Sequence, residues 1–378
     1  MSSPDTDPAE VIGRRKAEHL RVAAEEDVET RTSAGWSDVH IPHDALPVVD
    51  AAEVDLRATL LGHRLRLPLV IAGMTGGHAA ASDVNRVLAR AAARHGLAIG
   101  VGSQRAALRD PSLAGTYRVI REEAPRAFVI ANVGISQLVA QDTEPPLTAG
   151  EIRTLVEMIG AGALALHLNF LEESVQPEGQ TRARGAAAAI RALVRRSPVP
   201  IIAKETGAGI SRETALRLRA LGVRAIDVGG VGGTSFAAIE GYRAAQRGDV
   251  ARALLGTSFR EWGIPSAVSV AGCVTSRLPV IATGGVRSGL DAAKALALGA
   301  TVVGVGRPLL QAALDGEAAV DAWVAQFELE LRTATFLAGV ARARHLGRRP
   351  IVVTGTTGEW LDQLGYRPRR RAAGASRS

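Results

Sequence analysis

The chain of 378 residues is poor in several residue types: it has one cysteine, four tryptophans, three tyrosines and six phenylalanines. The single cysteine, Cys273, cannot form a disulfide within the chain, which excludes a small disulfide-stabilised secreted fold. No apolar run reaches the roughly 18 residues that a membrane-spanning helix needs, and the N-terminus lacks the apolar core of a signal peptide. A hydrophobic content of 47% excludes a disordered chain. These absences predict a cytoplasmic globular protein with an aliphatic core.

Positive charge is concentrated at the C-terminus. The net charge is +7, and residues 367–378 contain no acid and five arginines: Arg367, Arg369, Arg370, Arg371 and Arg377. Such a polar segment is typical of a solvated, disordered tail rather than a nucleic-acid-binding arm. Elsewhere arginine also dominates, with 42 arginines in all. The retained lysines are therefore candidates for sites that need a compact charge: Lys16, Lys204 and Lys294.

Eight short apolar runs alternate with helix-like segments. The runs, each bounded by glycine, proline or polar residues, span 67–74, 97–103, 127–133, 163–169, 199–205, 225–230, 278–283 and 300–305. The amphipathic segments between them predict helices over 83–95, 112–123, 147–160, 182–195, 212–221 and 289–298. Near-continuous apolar strands indicate a parallel sheet that is covered on both faces. The pattern predicts a (β/α)8 TIM barrel rather than a doubly wound sheet.

Three segments follow from this pattern. Residues 1–66 form an N-terminal helical and loop extension that contributes to the active site, with a helix predicted over 8–28. Residues 67–345 form the barrel, and 346–378 form a C-terminal segment that ends in the basic tail. The sixth and seventh predicted strands start 53 residues apart, which indicates an insertion over 236–267. Insertions at this point usually lie over the active face of a barrel.

Two pairs of glycines follow the seventh and eighth predicted strands: Gly284 with Gly285, and Gly304 with Gly306. Phosphate sites in such barrels are commonly built from these two loops, where backbone N–H groups approach an anion. Arg287 could add a bidentate contact. Tight turns would also explain the glycines, but the agreement between two loops favours a phosphate-bearing cofactor.

Polar side chains stand at the ends of the fourth and fifth predicted strands. A buried Lys204 ammonium would destabilise the fold unless the side chain lines the barrel mouth. There it would stabilise an anionic reduced flavin ring. A Schiff-base lysine is the alternative. His167 and Asn169 are two residues apart on one strand, so both point into the barrel. Their position beside an acidic loop indicates a site rather than two satisfied core residues.

The acidic loop contains Glu172, Glu173 and Glu178. Carboxylates are suitable ligands for Mg²⁺ that is shared with a phosphorylated substrate, and solvated loop carboxylates are the alternative. The predicted N-terminal helix carries a basic cluster that either clamps a diphosphate or forms a solvated face: Arg14, Arg15, Lys16 and His19.

Several motifs together resemble those of the type 2 isopentenyl diphosphate isomerases, a family of FMN-dependent barrels. They follow the order of that family between about residues 12 and 310: RKAEH (15–19), MTGG (74–77), GSQR (102–105), HLN (167–169), QPEG (176–179), KETGAGIS (204–211), GGTSF (232–236), WGIP (262–265) and TGGVRSGLDAAKALALGA (283–300). The resemblance implies interconversion of isopentenyl and dimethylallyl diphosphate on FMN, kept reduced by NADPH or another reductant, with Mg²⁺. It further implies a homotetramer or homo-octamer that binds neither nucleic acid nor membranes.

The same resemblance assigns individual residues. The flavin would be lined by Gly73, Met74, Thr75, Ser103, Asn132, Lys204 and Thr234. Its phosphate would be held by Gly284, Gly285, Arg287, Val305 and Gly306. The substrate would be contacted by Arg15, Lys16, Ser103, Gln104, Arg105, His167 and Asn169, and Mg²⁺ by Glu173.

At one position the chain departs from the family pattern. The family reads Asn-x-x-Gln-Glu, with the Gln beside the reacting carbon, whereas this chain has Glu172 between Asn169 and Glu173. Gln180 also stands where the family tends to have Asp. Glu172 is therefore a candidate catalytic and substrate-binding residue, together with His167 and Asn169.

The protonation state of Glu172 decides what it can do. A protonated Glu172 could donate like the amide or serve as an acid, and an ionised one could recruit metal or trap a cation. Two other functions stay open. One is an FMN-dependent oxidoreductase of a hydroxy acid, and the other is a flavin- or prenyl-diphosphate-binding homologue that has lost catalysis.

Overall fold

A computed structural model of the chain describes residues 18–19, 21–78, 80–141 and 144–366. Eight parallel strands close into a barrel, which confirms the predicted (β/α)8 fold. The strands, β1 to β8 in chain order, are Leu69–Ile71, Ala98–Gly100, Phe128–Gly134, Ala163–Leu168, Ile201–Glu205, Ala225–Asp227, Val280–Thr283 and Val302–Val305. Pairing of Val303 with Leu69 closes the cylinder between β8 and β1.

Helices surround the barrel. In chain order they are Ala81–His95, Arg105–Arg109, Gly115–Glu123, Ala149–Met158, Phe170–Val175, Ala186–Arg196, Arg212–Ala220, Phe236–Gln246, Val250–Ser258, Ser266–Cys273, Gly289–Leu298, Arg307–Asp315, Glu317–Leu337 and Gly355–Gln363. The six predicted helices are all observed, with ends shifted by a few residues. Short 3₁₀ helices lie at Trp36–Asp38, Ala51–Glu53, Pro111–Ala114, Ile135–Leu138, Val274–Ser276 and Ala343–Arg348. No helix in these described ranges is both long and apolar enough for a membrane crossing.

An antiparallel hairpin, Ala58–Leu60 with His63–Leu65, plugs the amino-terminal end of the barrel. Leu60 and Leu65 are buried against inward-facing strand residues such as Ile202, and His63 stacks on Phe128 with ring centroids 4.0 Å apart. The sequence predicted only a loop here. The turn is formed by Leu61 and Gly62, both with positive φ, and leucine at such a position gives no recognisable turn signal.

The interval between β6 and β7 contains three helices, and the first of them, Phe236–Gln246, lies beside the open carboxyl end of the barrel. The N-terminal extension packs on this helix. Val22 and Val28 are buried against Ala238 and Ile239, and residue 29 forms a β-bridge with residue 234. Helix and extension together partly cover the carboxyl end.

The C-terminal part packs on the outside of the barrel. Glu317–Leu337 contacts the helices Ala81–His95 and Gly289–Leu298. Strand Val352–Val353 pairs antiparallel with Val39–His40, so the N-terminal extension and the C-terminal segment are in contact. The predicted disordered tail, 367–378, lies outside the described residues.

Candidate active site

Two adjoining cavities open at the carboxyl end of the barrel. The glycine-lined cavity is bounded mainly by the loops after β6, β7 and β8, and the polar cavity by those after β2, β3 and β4. The residues that line both are His19, Gly73, Met74, Thr75, Lys204, Thr206 and Phe236. A ligand that extends through both cavities would therefore lie against the ends of β1 and β5.

The wall of the glycine-lined cavity is backbone, because the loops after β6 and β7 approach too closely for side chains. Gly284 and Gly285 have φ angles of 115° and 65°. A Cβ on Gly285 would lie 2.3 Å from the Gly232 carbonyl oxygen, and one on Gly233 would lie 2.8 Å from the Gly285 nitrogen. Close packing of the two loops thus requires glycine at these positions, which agrees with the alternative that the glycines form tight turns. The same packing exposes backbone atoms to the cavity.

Two further features of the glycine-lined cavity suit an anion that carries oxygen atoms. Gly306 is the N-cap of helix Arg307–Asp315 beside the cavity. Pro308 has no N–H, and the Leu309 and Leu310 N–H groups donate to the Gly306 carbonyl oxygen, so among the described residues of this first turn only the Arg307 N–H remains for an anion. The Thr283 hydroxyl is buried and has no hydrogen-bond partner among the described residues. The wall therefore offers donors to a phosphate.

Two arginines at this cavity are bound by one carboxylate of the N-terminal extension. Arg287 Nη2 lies 2.9 Å from Glu29 Oε2, and Arg307 Nη1 lies 3.1 Å from Glu29 Oε1. Burial opposes ionisation, but the two guanidinium groups hold the pKa of Glu29 below its ordinary value. A phosphate near Arg287 would therefore share that guanidinium with Glu29.

Lys204 ends β5 at the floor of both cavities. Its Nζ donates to the Glu205 carbonyl oxygen at 3.0 Å and lies 3.5 Å from Asp227 Oδ2. The Glu205 carboxylate accepts backbone N–H groups of residues 206–209 at 2.5–3.2 Å. Burial raises the pKa of Glu205 to about 7, although these N–H groups and Lys204 favour its charged form. Glu205 thereby orders the loop that carries Thr206.

An imidazole and an amide form one wall of the polar cavity. His167 Nδ1 lies 2.7 Å from Asn132 Oδ1, and Asn132 Nδ2 donates to the Val101 carbonyl oxygen at 2.9 Å. Because Asn132 presents its oxygen, Nδ1 of His167 carries a proton. Gly134 leaves room for the ring, since a Cβ there would lie 2.6 Å from His167 Nε2. The imidazole is thereby fixed in orientation.

Carboxylates of helix Phe170–Val175, which follows β4 where the sequence predicted a loop, face this wall. Asn169 Nδ2 donates to Glu172 Oε2 and to Glu173 Oε1, both at 3.1 Å. Glu173 is buried and also accepts Ser136 Oγ at 3.1 Å and the Gln180 backbone N–H at 2.7 Å. Asn169 Oδ1 is buried without a partner in the described part of the chain. These oxygen atoms form a donor set that suits a hard cation such as Mg²⁺.

Arg105 supplies positive charge to the polar cavity. Its Nη2 lies 2.5 Å from Glu144 Oε2, and its Nη1 donates to Gln180 Oε1 at 3.4 Å. Its Nε is buried and has no partner within the described ranges. Gln180, where the family tends to have Asp, thus connects Arg105 with the Glu173 loop.

A buried group of charges, here the Arg243 cluster, consists of Arg243, Glu240, Glu18, Glu178 and His19. Arg243 and Glu240 are completely buried and form an ion pair on helix Phe236–Gln246. Arg243 also lies 3.0 Å from Glu18 Oε2 and 2.9 Å from Glu178 Oε1, and Glu240 Oε1 lies 2.6 Å from His19 Nε2. The cluster connects the N-terminal extension and the loop that carries Glu178 to helix Phe236–Gln246.

Sequence reasoning missed Glu240 and Arg243. They are three residues apart on a helix of small residues, AAIEGYRAAQ, and such pairs are usually solvated. The Glu240 carboxylate comes close to the site, since one atom each of His19, Glu172 and Glu240 lie within 4.8 Å of one another. Glu18 and His19 of the N-terminal extension and Glu178 after β4 contact this pair, and contacts so distant in sequence leave no local signal.

Comparison with known proteins identifies the family. The FMN-dependent dehydrogenase family model matches residues 10–110 and 165–353. Proteins named isopentenyl-diphosphate delta-isomerase are similar along almost the whole chain. The one from Methanoregula boonei is 49% identical over 92% of this chain and 96% of its own, and the one from Archaeoglobus fulgidus is 44% identical over 93% and 99%. The chain belongs to the FMN-dependent isopentenyl-diphosphate delta-isomerase family. The resemblance in the motifs is thereby confirmed.

Solved structures of two oxidases share the barrel of this isomerase-family chain. Lactate oxidase from Pediococcus acidilactici aligns with a TM-score of 0.64 at 17% identity, over 94% of this chain and 96% of the oxidase. A mandelate oxidase variant aligns with a TM-score of 0.57 at 17% identity, over 93% and 100%. At such identities the likeness shows the fold alone.

The structure brings most of the predicted family site residues to the cavity walls: Gly73, Met74, Thr75, Ser103, Arg105, Asn132, His167, Asn169, Glu172, Glu173, Lys204, Thr234, Gly284, Gly285, Arg287 and Gly306. Gln104 and Val305 differ, since both side chains are buried behind the walls. Gln104 accepts the Asn132 backbone N–H and donates to the Leu155 carbonyl oxygen. Arg15 and Lys16 lie outside the described residues.

Proposed function

We propose that this protein interconverts isopentenyl diphosphate and dimethylallyl diphosphate, without net redox, on reduced FMN and with Mg²⁺. The observation that carries the proposal is the junction of a glycine-lined cavity and a polar cavity along shared residues, in a chain whose relatives bear the isomerase name. The proposal includes a reductant such as NADPH, a cytoplasmic location and a homo-oligomeric assembly.

The glycine-lined cavity fits FMN. The Arg307 N–H at the start of helix Arg307–Asp315, the buried hydroxyl of Thr283 and the backbone of Gly284 and Gly285 would hold the phosphate. Gly73, Met74, Thr75 and Lys204, which line both cavities, would flank the ring system. Reduced FMN, when bound, supplies an electron-rich ring face that stabilises positive charge.

The polar cavity fits a prenyl diphosphate. Arg105 and His19 would bind the diphosphate, and Glu173 with Asn169 would hold Mg²⁺ against it. Asn132 orients His167 beside the hydrocarbon part, and we expect Gln104 to position Asn132 rather than to contact the substrate. The N-terminal extension and the loop that carries Glu178, which the Arg243 cluster holds in place, would exclude water from this cavity. Protonation of an alkene requires such a dry, preorganised setting.

A single assay tests the proposal. The purified protein should be yellow or take up added FMN; after anaerobic reduction with Mg²⁺ in deuterated water, it should isomerise isopentenyl diphosphate and incorporate deuterium. The flavin spectrum should stay reduced throughout turnover. Stoichiometric flavin reduction by a hydroxy acid would instead indicate an oxidoreductase. FMN binding without turnover of either isomer would indicate a binding protein.

Replacing Glu172 by Gln should leave isomerase activity intact or raise it. The amide keeps an oxygen that can accept the Asn169 Nδ2 hydrogen bond, and it restores the residue that is usual in the family. Glu173→Gln is the matched control: it removes the neighbouring, buried carboxylate and should raise the Mg²⁺ concentration needed for half-maximal rate by at least about tenfold. Complete loss of activity in Glu172→Gln would mean that the carboxyl group is itself the required acid.

The variant Gly285→Ala should weaken FMN binding by at least about tenfold, a loss of roughly 1.4 kcal/mol. Its φ of 65° disfavours alanine, and the new Cβ would meet the Gly232 carbonyl oxygen, so the loop must move. Flavin fluorescence titration of the apoprotein measures the effect. In Gly115→Ala the new Cβ meets nothing within 4 Å, and binding should be unchanged. Equal affinities in both variants would contradict the phosphate assignment.

A further inference from the structure

A third, small cavity lies inside the barrel beneath the floor of the other two. Its polar lining consists of Lys204, Asp227 and Asn132, and the rest of its wall is aliphatic, for example Ile202 and Ile281. Lys204 and Asp227 are register partners on β5 and β6. Because Lys204 lines all three cavities, a change at Asp227 can reach the site through it.

The carboxylate of Asp227 is expected to destabilise the fold at this position. The side chain is 8% exposed, Oδ2 lies 3.5 Å from Lys204 Nζ, and Oδ1 has no hydrogen-bond partner among the described residues. A buried carboxylate with an unpaired oxygen destabilises a fold, and an apolar residue of similar size usually serves stability better. The charge of Asp227 therefore calls for an explanation outside packing.

The geometry of Lys204 supplies that explanation. Its ammonium is held from one side by the Glu205 carbonyl oxygen and from the other by Asp227. These two contacts fix the height of the ammonium in the barrel, and Asp227 also offsets part of its charge. Both effects act on whatever lies at the floor of the upper cavities, because a field is weakly screened in a buried site.

We propose that Asp227 is a positioning residue that holds the Lys204 ammonium and limits the positive charge presented to the flavin ring. The inference rests on the proposed binding of FMN in the glycine-lined cavity. Removal of the Asp227 charge should leave Lys204 with an unopposed charge and so favour the reduced, anionic ring. Removal of Lys204 should do the opposite.

The two-electron midpoint potential of bound FMN tests the proposal, measured by anaerobic spectroscopic titration against a reference dye. Asp227→Asn should bind reduced FMN about tenfold better relative to oxidised FMN, which corresponds to a potential about 30 mV higher. Lys204→Met should lower the potential. In the Lys204→Met background, Asp227→Asn should raise the potential by clearly less than it does in the wild type, because the part of its effect that acts through the position of Lys204 is absent.

A matched control removes the same charge elsewhere. Asp55 precedes the hairpin at the opposite end of the barrel, and Asp55→Asn should leave the potential unchanged. If Asp227→Asn does not fold, Asp227→Ser carries the same test with a smaller uncharged side chain. An unchanged potential, or the same shift with and without Lys204, overturns this inference alone. A wild-type protein that binds no FMN overturns the proposed function and this inference with it.

Discussion

Replacing Arg243 by Met should lower the free energy of unfolding by about 3–5 kcal/mol, the usual cost of removing one partner from a buried ion pair. Arg243 is completely buried and is bound to three carboxylates, those of Glu240, Glu18 and Glu178. Methionine fills similar space but leaves Glu240 buried without its cation. Chemical denaturation followed by circular dichroism measures the loss.

The chain contains a matched control for this change. Arg247, the C-cap residue directly after the same helix, binds the same Glu18 and Glu178 at 3.1 and 3.2 Å, but its side chain is 32% exposed. Arg247→Met should cost at most about 1 kcal/mol, because water screens exposed pairs. The double variant Arg243→Met/Glu240→Gln should recover part of the loss. Equal effects of the two single Arg variants would contradict the assigned role of burial.

Replacing Lys204 by Met should reduce the isomerisation rate by at least about a hundredfold, or roughly 2.7 kcal/mol in activation free energy. Lys204 places a fixed ammonium at the floor of both cavities, where it would stabilise the anionic reduced flavin ring on which the proposed reaction depends. Methionine keeps the unbranched shape and removes the charge. Steady-state kinetics with isopentenyl diphosphate, on protein reconstituted with FMN and reduced, measures the loss.

Lys294→Met is the control for the loss of a lysine. Lys294 lies on helix Gly289–Leu298, outside the barrel, and donates to the Trp36 carbonyl oxygen at 2.8 Å. Its rate should stay within about twofold of wild type, since a single hydrogen bond contributes about 1 kcal/mol to stability and none to the reaction. A Lys204→Met variant that binds FMN and turns over normally would contradict the role given to this ammonium.

The barrel could be predicted from the sequence because its signals are local and repeated. Strands such as Phe128–Gly134 are buried along their whole length, so their apolar runs need no knowledge of the neighbours. The hairpin at 58–65 gave no such signal, since its strands are three residues long and carry His63 and Arg64. The hairpin is recognisable only from its packing against the barrel, which is a tertiary contact that the local sequence does not reveal.

The site could be predicted only in part, for a related reason. Strand ends fix which residues reach the mouth, so residues such as Lys204 and His167 were located by position. Side-chain direction in the following turns is not fixed by position. Gln104 directly precedes helix Arg105–Arg109, and its side chain turns back into the core towards Leu155. Glu240 and Arg243 are part of the site region because two segments distant in sequence, which carry Glu18, His19 and Glu178, pack on their helix.

The hairpin at 58–65 determines how small molecules can enter and leave the barrel. Because the hairpin closes the amino-terminal end of the barrel, a molecule reaches the interior through the carboxyl end, which the N-terminal extension and helix Phe236–Gln246 partly cover. Cofactor, reactant and product would therefore all pass through this one opening. The deepest occupant must then be loaded before the reactant arrives, and every product must leave by the route through which its precursor came.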